Sequence, residues 1–152
     1  MDVDEIYAAV VDGTGTGGDL GWTRKPLRDR AFDRAKTGDP AQRAGALTVS
    51  ALLGRDHQPV AAELVTDPDP QVRNRAFDLV LDAGAAGLPA IRDAAAGSDP
   101  ELAGRALDLL IVAVDAASTT LGWRSLSSPH PGIRARGAAI LGLTAGPSVG
   151  PD

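Results

Sequence analysis

The sequence predicts an all-α chain, a short solenoid of helix pairs with a unit of about thirty residues. Three observations carry that reading. Proline-bearing segments recur in register at Pro40, Pro70, Pro100 and Pro131, in steps of 30, 30 and 31 residues. Behind each proline the apolar residues fall at i, i+4, i+7, i+8 and i+11, the spacing of a helical stripe rather than of a strand. The apolar mass is mostly Ala, Leu and Val, with only 3% aromatics, which suits closely packed helices better than a β-sandwich.

The four starts are Gly38-Asp39-Pro40, Pro68-Asp69-Pro70, Ser98-Asp99-Pro100 and Pro129-His130-Pro131. An Asp before the proline caps the exposed N–H groups of a first turn, and Pro at the first helical position gives up an N–H that would be unpaired anyway. His130 takes the place of Asp in the fourth unit, which predicts a weaker cap. The stripes read Gln42, Ala46, Val49, Ser50, Leu53; then Val72, Ala76, Leu79, Val80, Ala83; then Leu102, Ala106, Leu109, Leu110, Ala113; then Ile133, Gly137, Ile140, Leu141, Thr144. Gln42 and Ser50 interrupt the first, and Gly137 thins the last. A shorter helix precedes each long one, at Pro26 to Lys36, Pro59 to Val65, Leu88 to Ala95 and about Leu121 to Leu126. A further helix, about Val3 to Val11, stands at the front. A Gly-rich loop is expected over 12–21 and a disordered tail over 145–152.

The run Asp69-Pro70-Gln71-Val72-Arg73-Asn74-Arg75-Ala76 resembles the opening of the second helix in the HEAT-repeat family, including its short bacterial HEAT-like variants. The resemblance covers roughly residues 25 to 144. It implies a right-handed α-solenoid of about four HEAT-like helix pairs plus the N-terminal helix, one domain over 1–144. It further implies that Asp39, Asp69 and Asp99 form a structural ladder between repeats with Arg43, Arg73 and Arg134. Ala103 departs from the pattern, so the ladder is expected to break in the third unit. HEAT proteins are mostly binding scaffolds, with a few enzymes among the HEAT-like members.

Charge and composition narrow the function classes. At 152 residues and a formal net charge of −5, the chain lacks the strongly basic character of a general nucleic-acid binder. It has no cysteine, which removes disulfides, thiolate metal sites and cysteine nucleophiles. The acidic start, Met1-Asp2-Val3-Asp4-Glu5, is not that of a secretory signal, and no apolar run approaches the roughly 20 residues of a membrane span. The expectation is a cytoplasmic protein with no cofactor, no metal and no membrane partner.

Several candidates stand out against their plainer readings. Gly13-Thr14-Gly15-Thr16-Gly17-Gly18 satisfies G-x-G-x-x-G by counting, but phosphate binding needs a strand before it and a helix directly after. A linker is the better reading, with a mobile lid as the functional alternative. Opposite the apolar stripes lie Gln71, Arg75, Asp78 and Asp82, then Glu101, Arg105, Asp108 and Val112, then Gly132, Arg136, Ala139 and Leu143. In a HEAT-like stack this line faces the concave surface, the usual binding face. Arg75, Arg105 and Arg136 would form one row there and Asp78 and Asp108 the next, although Arg and Asp at i, i+3 also simply pair on a solvated face. Trp22 and Trp123, each in a Leu-Gly-Trp triplet, either line a binding site or cover an end of a thin core. His57 and His130 sit in turns with no metal constellation around them. The run from Arg24 to Lys36 holds six basic and two acidic residues, a surface for an acidic partner or an exposed helix face.

The leading expectation is a non-enzymatic module that binds a protein or peptide partner on the concave face, through Arg75, Asp78, Asp82, Arg105, Asp108, Arg136, Trp22 and Trp123. The alternative is a small-molecule binder or enzyme in the concave groove, with Asp78, Asp82, Asp108 or Asp115 as acid or base groups near arginines. A HEAT-like DNA-binding repair protein ranks last, because it would need a basic cleft.

Overall fold

The computed structural model describes residues 2–14, 24–53 and 58–144. Every regular element among them is helical. The order is α1 (Val3–Asp12), α2 (Arg24–Thr37), α3 (Pro40–Leu52), α4 (Gln58–Leu64), α5 (Pro70–Leu81), α6 (Leu88–Ala95), α7 (Pro100–Ala113), α8 (Thr119–Ser125) and α9 (Pro131–Thr144). Short 3-10 turns at Gly84–Gly87 and Ala116–Ser118 lead into α6 and α8. The sequence pattern misses both, since a 3-10 turn is too short to carry a period. The tail from Ala145, most of the Gly-rich loop, Trp22 and His57 lie outside the described residues.

Packing divides the chain into two compact units, Met1–Gly87 and Leu88–Asp152. In the first, α2 packs on α3, α4 packs on α5, α3 lies against α5, and α1 lies against α3 and α2. In the second, α6 packs on α7, α8 packs on α9, and α7 lies against α9. Each proline-led helix therefore pairs with the helix before it, which is the shorter of the two in three pairs; α2, at 14 residues, is no shorter than α3, at 13, contrary to the expectation from sequence.

The starts of the long helices follow from their caps. Asp39 accepts from the Gln42 N–H at 2.8 Å while Gln42 Oε1 accepts from the Asp39 N–H at 3.0 Å, a reciprocal capping box. Gln42 breaks the apolar stripe for this reason. Asp69 accepts from the N–H groups of Gln71 and Val72 at 2.9 and 3.1 Å, and Asp99 from those of Glu101 and Leu102 at 3.0 and 3.2 Å. Before α9, the His130 N–H donates instead to Ser128 Oγ at 3.1 Å.

Three arginines, each three residues after its proline, fasten the turn before their helix. Arg43 donates to the Gly38 carbonyl at 2.8 Å, Arg73 to those of Asp67 and Pro68 at 3.0 and 3.2 Å, and Arg134 to that of Ser128 at 2.9 Å. These bonds occupy carbonyls of the connecting turns, which no helix ladder satisfies. Of the residues expected to form the ladder, the three aspartates thus cap their own helices. The carboxylate that meets Arg43 is Asp67, only 6% exposed, which takes Nε at 2.6 Å and Nη2 at 3.1 Å and also accepts the Asp69 N–H at 2.9 Å. Its hydrogen bond holds the Arg43 guanidinium above its ordinary pKa, against a smaller opposing effect of burial.

The stripes supply part of the core, and the preceding helices and the flanks of the stripes supply the rest. Leu27 and Ala31 of α2 and Ala46, Leu47 and Val49 of α3 are all fully buried, as are Phe77 and Val80 of α5. In the second unit Ile91, Leu102, Ala106, Leu107, Leu110 and Ile140 are buried. Ser50 is buried too, and its hydroxyl donates to the Ala46 carbonyl at 2.8 Å, so the polar interruption costs no unmatched group. Ala113, at the end of the third stripe, is exposed. Gly137 is a crossing point: a Cβ there would stand 2.7 Å from Ser125 Cβ and 2.8 Å from the Gly122 carbonyl oxygen. The backbones of α8 and α9 approach too closely for any side chain.

Candidate functional site

Two of the three arginines five residues after the proline, Arg75 and Arg136, reach across to a neighbouring helix. In the first unit, Arg75 of α5 reaches α3, where Nη1 donates to the Ala44 carbonyl at 3.4 Å. It walls a groove of about 270 Å³ that Pro40, Ala41, Asp69 and Gln71 also line. Asp78 and Asp82 follow on α5, both exposed. The matching position in α3 is Gly45, and there α1 closes in: a Cβ on Gly45 would lie 3.2 Å from Val11 Cγ1. In α3 and α5 this register position thus lies against the helix two places back in the chain, with glycine in one and arginine in the other.

The second unit repeats the arrangement with a carboxylate added. Arg136 of α9 crosses to α7, and its Nε donates to Asp108 Oδ1 at 2.8 Å. Its guanidinium passes over Gly104, where a Cβ would sit 3.4 Å from Arg136 Cζ. Both partners are substantially solvated, so the pair contributes only a few tenths of a kcal/mol. Arg105 is exposed on α7 three residues before Asp108. The sequence places Arg136 beside Asp108 only if units stack, and the alternative of i, i+3 pairing does not anticipate a partner 28 residues back.

Beyond this pair the surface turns apolar. Val112 of α7 is 81% exposed and Leu143 of α9 is 48% exposed, each twelve residues after its proline on helices that pack together. Val114 closes α7 in the left-handed region at φ 49°, an uncommon conformation for a β-branched residue, with its side chain half in solvent. Trp123 on α8 is 51% exposed while its neighbours Gly122 and Ser125 are buried, so this tryptophan does not plug the core.

The carboxylates considered for acid or base chemistry are dispersed. Asp115 is taken up by Arg92 Nε at 3.1 Å and by the Ser118 hydroxyl at 2.5 Å. A depression of about 140 Å³ between the α6–α7 and α8–α9 turns is lined by Ser98, Arg124, Ser128 and His130 rather than by those acids. Among the described residues no group of three or more His, Cys, Asp or Glu could hold a metal ion, and no helix is long and apolar enough to cross a membrane. Comparison with protein-family models, curated proteins and solved structures finds no match to this chain.

Sequence reasoning misses two residues that the structure makes prominent. Asp67 belongs to a doubled Asp-Pro, Asp67-Pro68-Asp69-Pro70, and only the second half aligns with the other units. Tyr7, the sole tyrosine, looks like an ordinary residue of an amphipathic front helix, yet its hydroxyl is buried.

Proposed function

We propose that this chain is a non-enzymatic, HEAT-like helical-repeat module that takes a protein or peptide partner on the outward face of its second helices. The reading supposes a short right-handed stack of about four helix pairs, in which this face is the concave one. Its support is the recurrence, each in three of the four units, of an Asp-Pro cap, an arginine at the third position after the proline and an arginine at the fifth. The observation that carries the binding claim is that Val112, 81% exposed, and Leu143, 48% exposed, hold the same register position on two helices that pack together and that the Arg136–Asp108 contact also joins. An apolar centre with charged groups at its edge is the anatomy of a recognition patch.

Site-specific photo-crosslinking tests this. A photoreactive residue at Val112 should capture one defined partner in cells, and the same residue at Glu63, exposed on α4, should not. With the purified partner, Val112→Asp combined with Leu143→Asp should weaken binding at least about tenfold, as expected for loss of an apolar anchor. Unchanged affinity in that double variant would defeat the proposal.

A further inference from the structure

A second site lies within the second unit, at the depression of about 140 Å³ between the α6–α7 and α8–α9 turns. It shares no residue with the face just described. Small-molecule pockets run to roughly 300–1,000 Å³, so this one suits a single ion or head group. Buried Ala95, Ala103 and Ile133 supply apolar lining. Ser98, Arg124, Ser128 and His130 supply polar groups. Ser125 also borders the depression, but its hydroxyl already donates to the Leu121 carbonyl at 2.7 Å.

This lining is rich in donors and holds no carboxylate. The Arg124 guanidinium is exposed and makes no ion pair or hydrogen bond among the described residues, and the Ser98 hydroxyl makes none there either. Ser128 Oγ accepts the His130 N–H at 3.1 Å and keeps its own proton to donate. The exposed His130 imidazole carries at least one N–H in either protonation state. Arg134 stands at the same turn, where it donates to the Ser128 carbonyl at 2.9 Å and adds a fixed positive charge. Asp99, next to Ser98 in the chain, accepts the N–H groups of Glu101 and Leu102 and does not line the depression.

The sequence around the depression agrees in sign. The chain carries a net charge of −5, yet no Asp or Glu occurs from Ala116 to Thr144, where Arg124, Arg134, Arg136 and His130 stand. His130 also takes the place that a capping aspartate holds before α3, α5 and α7. A carboxylate there would repel an anion in the depression, and the histidine removes that repulsion. A guanidinium, an imidazole and two hydroxyls offer more donors than the two oxygens of a carboxylate take up, whereas a phosphoryl group presents three strong acceptor oxygens. We propose that this depression binds a single phosphoryl group, as the free ion or at the end of a small phosphomonoester, on Arg124, Ser98, Ser128 and His130.

Amide NMR titration of the whole chain at constant ionic strength tests the site, with inorganic phosphate and methyl phosphate as probes and acetate as comparator. Both phosphates should shift the signals of Ser98, Ser128 and His130 saturably, with a Kd in the millimolar range or tighter, and acetate should bind about tenfold more weakly. The tighter of the two probes distinguishes the free ion from an ester. Arg124→Gln removes an exposed cation and should weaken phosphate binding about fivefold or more while leaving the remaining spectrum folded. His130→Asp rebuilds the Asp-Pro start of the other proline-led helices, so it should unfold in urea no earlier than the native chain and still lose phosphate binding. The proposal is overturned if phosphate shifts do not saturate, if acetate binds as tightly, or if both variants bind phosphate as the native chain does.

Discussion

Replacing Gly137 by alanine should destabilise this protein, although alanine is the better helix former by about 1 kcal/mol. The added Cβ would stand 2.7 Å from Ser125 Cβ, 2.8 Å from the Gly122 oxygen and 3.3 Å from the Leu126 nitrogen. Carbon atoms pack at about 3.5–4.0 Å, so α8 would have to retreat from α9 by roughly 1 Å. Two of the three obstructing atoms are backbone and cannot rotate aside. Overpacking of this kind costs about 1–3 kcal/mol, and the two backbone obstructions put Gly137 at the upper end, so with the helix gain of about 1 kcal/mol subtracted the net loss is about 2 kcal/mol. Gly142 on the same helix is the internal control, since a Cβ there meets nothing within 4 Å. Gly142→Ala should stabilise by about 0.4–1 kcal/mol. Urea unfolding followed by far-ultraviolet circular dichroism reads both changes, and the two variants should move the midpoint in opposite directions. A Gly137→Ala protein as stable as the native chain would refute the argument from close approach.

Three further outcomes are expected. Asp69→Ala removes the acceptor for the Gln71 and Val72 N–H groups and should lower the unfolding free energy by about 1 kcal/mol in the same urea experiment. Val114→Gly releases a left-handed backbone and gives up a side chain only half covered, so it should raise stability by up to about 1 kcal/mol, read as a higher thermal midpoint. The third concerns alkali. Tyr7 has its folded pKa raised above 10.0 by burial, so its contribution is fully present below pH 10.0 and is lost as pH rises through the folded pKa. Absorbance titration of the single tyrosine should give a midpoint above 10.0, and Tyr7→Phe should lessen the loss of stability in that alkaline range.

What could be read from the sequence is what depends on neighbours in the chain. The second-helix starts at Pro40, Pro70, Pro100 and Pro131 are visible because a cap and its helix lie within four residues of one another. The stripe in α5 is visible because Val72, Ala76 and Val80 share a face through local geometry alone. Features that depend on distant segments are not legible. Gly137 reads as a thinned core position, because nothing local announces that Gly122 will cross it. The ladder expected from Asp39, Asp69 and Asp99 leaves out Asp67, because alignment by motif cannot see that this aspartate, two residues before Asp69, is the buried one that meets Arg43. The seam formed by Arg136 over Gly104 leaves one trace in the sequence, a small residue directly before the arginine of the third unit. The burial of the Tyr7 hydroxyl leaves none, since neighbouring helices provide it. The charged row opposite the stripes was readable as positions, but its commitments between helices were not.

The Arg136–Asp108 contact also bears on how quickly a partner could arrive. Opposite charges held 2.8 Å apart cancel at a distance, so this part of the surface projects little field into solvent. A partner docking against Val112 and Leu143 would meet it without long-range attraction. Association would then run at the modest rate set by random collision and orientation, nearly indifferent to ionic strength, and selectivity would rest on how slowly the complex comes apart.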